Sequence, residues 1–137
     1  MREILFRAKA INRDNGYHRT DYKNGDWVYG LISRPYKEMF PTLPMEFRNE
    51  NGVDGIEVDY KTVGQFTGLT DKNGVKIFEG DILQEYNGED RGYIRYDEAD
   101  GMYFLVVDNV LYDFSTCNSK WYEVIGNIHD NKVVQNG

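Results

Sequence analysis

Asp81-Ile82-Leu83-Gln84-Glu85-Tyr86-Asn87-Gly88-Glu89-Asp90-Arg91-Gly92-Tyr93-Ile94-Arg95-Tyr96 is the stretch whose reading decides the fold. Its two ends are short runs rich in Ile, Leu and Tyr, and Arg91 to Tyr96 alternates from face to face as a half-buried strand does. Between them Asn87-Gly88 is a hairpin dipeptide, because both residues tolerate the positive φ that a tight reversal needs. Two strands joined by a turn are therefore predicted here.

The same grammar extends in both directions. Asn24-Gly25, Asn51-Gly52, Asp54-Gly55, Asn73-Gly74 and Asp100-Gly101 are further hairpin dipeptides among 14 glycines. Trp27 to Ile32, Val75 to Phe78, Val110 to Phe114 and Tyr122 to Ile128 read as strands, with Asp108-Asn109 as a turn. Met102 to Asp108 is apolar enough to be buried on both faces. No 12-residue window in this half carries a 3.6-residue apolar period, so an all-β fold follows, with at most one or two short helical turns. Glu79-Gly80-Asp81-Ile82-Leu83, then Gly92 to Tyr96, then Met102 to Val106 have the order of a small, partly open SH3-like barrel with long loops.

Two passages do not fit simple strands. Pro35 to Pro44 holds all three prolines, which remove ladder donors, and reads as a loop or an edge connection. Thr62 to Asp71 places Gly64 and Gly68 four apart, which suggests close backbone packing and then a turn, with a short helical turn starting at Asp59. There is also an internal echo: Asn24-Gly25-Asp26-Trp27-Val28 resembles Glu79-Gly80-Asp81-Ile82-Leu83, 55 residues later. In each, glycine frees the backbone and aspartate can accept a nearby N–H.

Composition excludes several classes. A chain of 137 residues predicts one domain and a core that needs no disulfide. Within it, 1–60 would hold N-terminal strands and the proline loop, 61–130 the central block and barrel strands, and 131–137 a flexible tail. The single Cys117 allows no internal disulfide. No apolar run nears the about 20 residues of a membrane helix, and the N-terminus lacks a signal-peptide core. A soluble cytoplasmic protein without a membrane partner is expected.

The formal charge is −7. Residues 1–48 carry nine basic and six acidic side chains, and residues 49–137 carry seven and seventeen. The acidic part repels phosphate, while the basic N-terminal third leaves a nucleic-acid partner disfavoured but open. Tyrosine is abundant, 11 residues, and its apolar face with a polar tip suits cores and protein contacts.

His18 and His129 lie in polar segments and read as solvent-exposed, and Cys117 sits in a polar turn rather than a nucleophile elbow. No phosphate-cradling glycine loop occurs. Asp71-Lys72-Asn73-Gly74 begins like a calcium loop but has lysine where a ligand belongs, so it reads as a hairpin turn. The carboxylates of Glu79 and Asp81, or of Asp97 and Glu98, read as solvated turns before they read as an acid–base pair. No catalytic residue, metal site or cofactor is expected.

The run from Val63 to Gly74, continuing through Ile77-Phe78-Glu79-Gly80-Asp81-Ile82, resembles the signature of the YopX family, small proteins of bacteriophages and prophages. Phe6-Arg7-Ala8 with Trp27-Val28-Tyr29-Gly30 is similar to the family's N-terminal block, and Tyr122 to Asp130 to its closing strand. The resemblance implies an all-β protein of a bacterial host cell that assembles as an oligomer, with no catalytic set to carry over. Gly64, Gln65, Thr67, Gly68, Asp71, Gly74, Glu79, Gly80 and Asp81 match the motif. The physical reading is that the glycines set turns while Thr67 and Asp81 satisfy backbone donors; a binding role for Gln65 and Glu79 stays open. The expected function is non-catalytic, through contacts with copies of itself or with a host or phage protein. The alternative is a nucleic-acid-associated accessory module in phage replication or transcription.

Overall fold

The computed structural model describes residues 3–11, 23–32, 38–41, 56–116 and 118–130. Ten strands follow in chain order: β1 (Phe6–Ala10), β2 (Trp27–Ile32), β3 (Glu38–Pro41), β4 (Ile56–Thr70), β5 (Lys76–Phe78), β6 (Asp81–Glu85), β7 (Arg91–Asp97), β8 (Met102–Val107), β9 (Val110–Asp113) and β10 (Tyr122–Asn127). Every pairing is antiparallel, which confirms the all-β class. The helical content among the described residues is two 3₁₀ turns, Phe114–Thr116 and Ser119–Trp121. The expected tail over 131–137, His18, Cys117 and the dipeptides Asn51-Gly52 and Asp54-Gly55 lie outside the described residues.

The chain divides into two compact units, Glu3–Gln65 and Phe66–Gly137, with β4 contributing to both. In the first unit β1 pairs with β2 and β4, and β3 pairs with β2 and β4. Ala8, Ala10, Val28 and Val58 form its core, flanked by Phe6 and Val63. The small alanines leave the large surface work to Trp27, over whose ring the Arg7 guanidinium lies at 4.6 Å.

The β1–β4 ladder carries a large irregularity. Arg7 faces Gly64 and Lys9 faces Asp59, so two steps on β1 span five on β4. The Thr62 hydroxyl accepts the Lys9 N–H at 2.8 Å and donates to the Asp59 carbonyl at 2.7 Å, restoring hydrogen bonds that the bulge removes. Lys61 N–H also donates to the Asp59 carboxylate at 3.1 Å. This bulge is what the sequence suggests as a helical turn at Asp59; the segment is instead strand, with a turn-like interruption. Likewise the proline passage contains a strand, β3, where it is described.

In the second unit β5 pairs with the end of β4, and the remaining strands form one sheet in the order β10-β6-β7-β8-β9. Ile77, Leu83, Ile94, Leu105 and Phe114 make its core, with Leu69, Tyr103, Val107, Tyr122 and Val124 packed around them. Leu105 and Val106 are adjacent and both buried, so β8 is covered on both faces at this pair, while Met102 to Phe104 and Val107 are half-buried. Between β8 and β9, Asp108 and Asn109 both take positive φ, +49° and +66°, which makes a two-residue hairpin of the kind that matches strand twist. The strands expected to build a small, partly open barrel form one sheet in which the last strand, β10, returns to pair with the first, β6, through a register shift between Val124 and Gly126. Among the described residues the sheet does not close: β9 and β10 are its two edges.

Candidate functional site

The motif residues occupy three places. Gly64 and Gln65 lie on β4 in the first unit, opposite Arg7 and Phe6. Thr67, Gly68, Asp71 and Gly74 surround the β4–β5 turn, and Glu79, Gly80 and Asp81 form the β5–β6 turn, both in the second unit.

At the β4–β5 turn the side chain of Asp71 is 1% exposed and accepts three backbone hydrogen bonds. One oxygen takes the N–H groups of Asn73 at 2.8 Å and Val75 at 2.9 Å; the other takes that of Val124, on β10, at 2.9 Å. The carboxylate therefore shapes its own turn and ties it to the sheet edge. Thr67, also buried, donates to the Ile77 carbonyl at 2.8 Å and accepts the Leu69 N–H at 3.2 Å. Gly68 and Gly74 hold positive φ on either side. Lys72 lies 3.9 Å over the Tyr86 ring, and Lys120 donates to the Thr70 hydroxyl.

At the β5–β6 turn Asp81, likewise 1% exposed, accepts the Phe78 N–H at 2.7 Å. Gly80 sits at φ +91°, its N–H donating to the Ile94 carbonyl at 2.8 Å and its carbonyl accepting from Ile128 at 2.9 Å. His129 covers Gly80 and is half-buried, which corrects the expectation that it is a solvent-exposed histidine. Its position follows from Asn127, whose side-chain oxygen accepts the N–H groups of His129 and Asp130, both at 2.9 Å, and turns the chain back. Chemically, these buried carboxylates act as acceptors for backbone N–H groups, the use to which a carboxylate is put when it stabilises a turn. Asp97, by contrast, accepts the Ala99 N–H at 2.9 Å in an exposed Asx turn. Among the described residues no group of three or more His, Cys, Asp or Glu side chains is placed to hold a metal ion, and no helix is long and apolar enough to cross a membrane.

The sheet of the second unit also carries a cavity of about 340 Å³ on the face away from the core. Ile82, Tyr93, Val106 and Ile128 wall it, Arg91 and Asp108 supply its charges, and no motif residue lines it. These residues belong to five strands or turns, so no linear pattern announces them; the one available signal is the apolar run of β8, which places Val106 on the second face.

The comparisons agree with the motif. Residues 42–133 match the family described as YopX protein, while no curated protein matches the chain. The family match covers 92 positions (133 − 42 + 1), about two thirds of the 137 residues, and includes every motif position from Gly64 to Asp81: the chain belongs to the YopX family.

Proposed function

We propose that this chain is a non-catalytic protein of phage or prophage origin that acts in the bacterial cytoplasm through protein–protein contacts and assembles as a homo-oligomer. The observation that carries the reading is the edge strand β9. Its Val110, Leu111 and Tyr112 are 50%, 43% and 50% exposed, and one side of its backbone lies at the end of the sheet order. Edge strands that stay single are normally guarded by short length, charged side chains, proline or a bulge. β9 is short at four residues and ends on Asp113, but it carries no lysine, proline or bulge, so Val110 to Tyr112 suit antiparallel pairing with a second copy. In such a pair Asp113 of each strand is kept from facing an acidic residue when Leu111 lies opposite Tyr112, since like charges directly opposed are unfavourable.

Two further features support contacts over chemistry. The buried carboxylates of the motif are committed to backbone N–H groups, as a turn scaffold requires. Residues 66–137 carry thirteen acidic and six basic side chains, the whole net charge of −7, which favours a protein partner over nucleic acid. Light scattering after gel filtration at about 100 μM tests the assembly, because association follows concentration. The expected mass is a multiple of the single chain, and Leu111→Lys returns it to one chain. A wild-type monomer at that concentration overturns the homo-oligomer.

A further inference from the structure

Ile82, Tyr93, Val106 and Leu111 are directly opposed in sequence across β6, β7, β8 and β9, so they form one row on the sheet face away from the core. Three of the four wall the cavity described above, which lies in the size range of ligand pockets. The fourth, Leu111, carries the apolar surface beyond the cavity on one side, and Ile128, 46% exposed, forms another part of its wall.

The two charges at this cavity are not equivalent. The Arg91 Nε donates to the Gln84 Oε1 at 3.0 Å, so that guanidinium is held along its own strand pair. Asp108 is exposed in the two-residue β8–β9 turn, and among the described residues its carboxylate has no hydrogen-bond or ion-pair partner. Glu89 and Asp90, both exposed, precede Arg91. Arg91 keeps its positive charge but is anchored to Gln84, and with the exposed Glu89, Asp90 and Asp108 the four charges sum to −2, on a unit that is itself acidic.

We propose that this cavity is a docking site for a partner polypeptide segment that inserts one large apolar side chain between Tyr93, Val106 and Ile128 and sets an adjacent Lys or Arg against Asp108. The inference rests on the reading that the chain works through protein contacts, and it names the chemistry of one partner. A polypeptide fits better than a small amine because the apolar surface continues past the cavity onto Leu111, which a chain segment covers and a single small molecule leaves wet. The site uses the face of the sheet, whereas pairing of β9 with a second copy uses its edge.

The test is amide NMR of the full-length ¹⁵N-labelled protein titrated with three blocked tripeptides, Lys-Trp-Lys, Glu-Trp-Glu and Lys-Gly-Lys, and with tryptamine. Lys-Trp-Lys is expected to shift the amides of Tyr93, Val106, Asn109 and Ile128 saturably, with a dissociation constant of about 1 mM or below. Glu-Trp-Glu and Lys-Gly-Lys bind at least about tenfold more weakly, and Asp108→Asn, which keeps the positive φ of the turn, weakens Lys-Trp-Lys about three- to fivefold, as loss of one exposed charge pair does. Equal binding of the two tryptophan peptides, shifts elsewhere, or no shifts overturn the proposal. So does tryptamine binding as tightly as Lys-Trp-Lys, which assigns the cavity to small amines, or concentration-dependent shifts of the same amides without peptide, which assign it to a second copy. Light scattering on the same sample keeps the outcomes separate: an oligomer that ignores the peptides refutes the docking site and leaves the assembly standing.

Discussion

The turn that opens β2 and the turn that opens β6 share one backbone device in two different settings. In Lys23-Asn24-Gly25-Asp26 and in Phe78-Glu79-Gly80-Asp81 the glycine sits at φ +92° and +91°. The aspartate accepts the N–H of the residue three positions earlier, at 2.9 Å and 2.7 Å. The glycine N–H donates at 2.8 Å to a carbonyl on another strand, Ala10 in the first case and Ile94 in the second. The surroundings differ. Asp26 is exposed and the space beside Gly25 is open, whereas Asp81 is buried and the histidine ring of His129 lies over Gly80. Local geometry comes from the four residues; its energetic weight comes from what surrounds them, because a donor stripped of its acceptor can be rehydrated at the surface and not in the interior.

The largest test of that contrast uses a third aspartate, which lacks the glycine device but has more donors. Asp71→Ala leaves three backbone N–H groups without their acceptor, and an expected loss of about 3–5 kcal/mol follows from about 1–3 kcal/mol per buried unsatisfied group, part of it recovered by water at the exposed turn. Urea denaturation of the full chain reads it, and amide exchange at Val124 accelerates with it, since that N–H ties β10 to the turn. Next comes Asp81→Ala, which orphans the buried Phe78 N–H, with an expected loss of about 2–3 kcal/mol. If Asp81→Ala were to cost no more than Asp26→Ala, burial would not be what separates the two turns.

The glycines give a smaller and cleaner pair. Alanine at either position forces an L side chain to positive φ, a strain of about 1–2 kcal/mol. At Gly25 a Cβ meets nothing within 4 Å, so that strain is the whole effect. At Gly80 the Cβ would lie 3.3 Å from the His129 Nε2, and the ring must give way. Gly80→Ala is therefore expected to cost about 0.5–1 kcal/mol more than Gly25→Ala. The double variant Gly80→Ala with His129→Ala should bring the two positions level, and urea midpoints at unchanged slope are the readout.

How much of this was legible before the fold was known follows the same division between local and distant causes. Hairpin dipeptides and alternating runs placed β2 and β5 to β10 within a residue or two, because turn chemistry and side-chain period are written locally. The echo between Gly25-Asp26 and Gly80-Asp81 was legible for the same reason. β4 was not: Asp59, Gly64 and Gly68 weaken its strand pattern, and the pairing with β1 overrides them through the Thr62 hydroxyl, 53 residues from Lys9 in sequence. At the site, the roles of Thr67 and Asp81 as acceptors were readable from residue type. The tie from Asp71 to Val124 and the cavity walls were not, as both join strands distant in the chain.

The smallest effect is the most demanding of the comparison. Asp26→Ala removes the acceptor of the Lys23 N–H, but both residues are exposed, so water replaces the carboxylate and the expected loss is about 0.5 kcal/mol. The turn itself should survive, because Asp26 N–H still donates to the Lys23 carbonyl at 3.0 Å and Ala10 still pairs with Asp26 through the backbone. Trp27 follows directly and is stacked by Arg7, so its fluorescence reports whether β2 still starts in register. An unchanged emission spectrum with a small shift in urea midpoint is the expected result. A red-shifted Trp27 would mean that the exposed aspartate organises the first unit as strongly as its buried counterpart organises the second, and the distinction between the two turns would then lie in their sequence rather than in their burial.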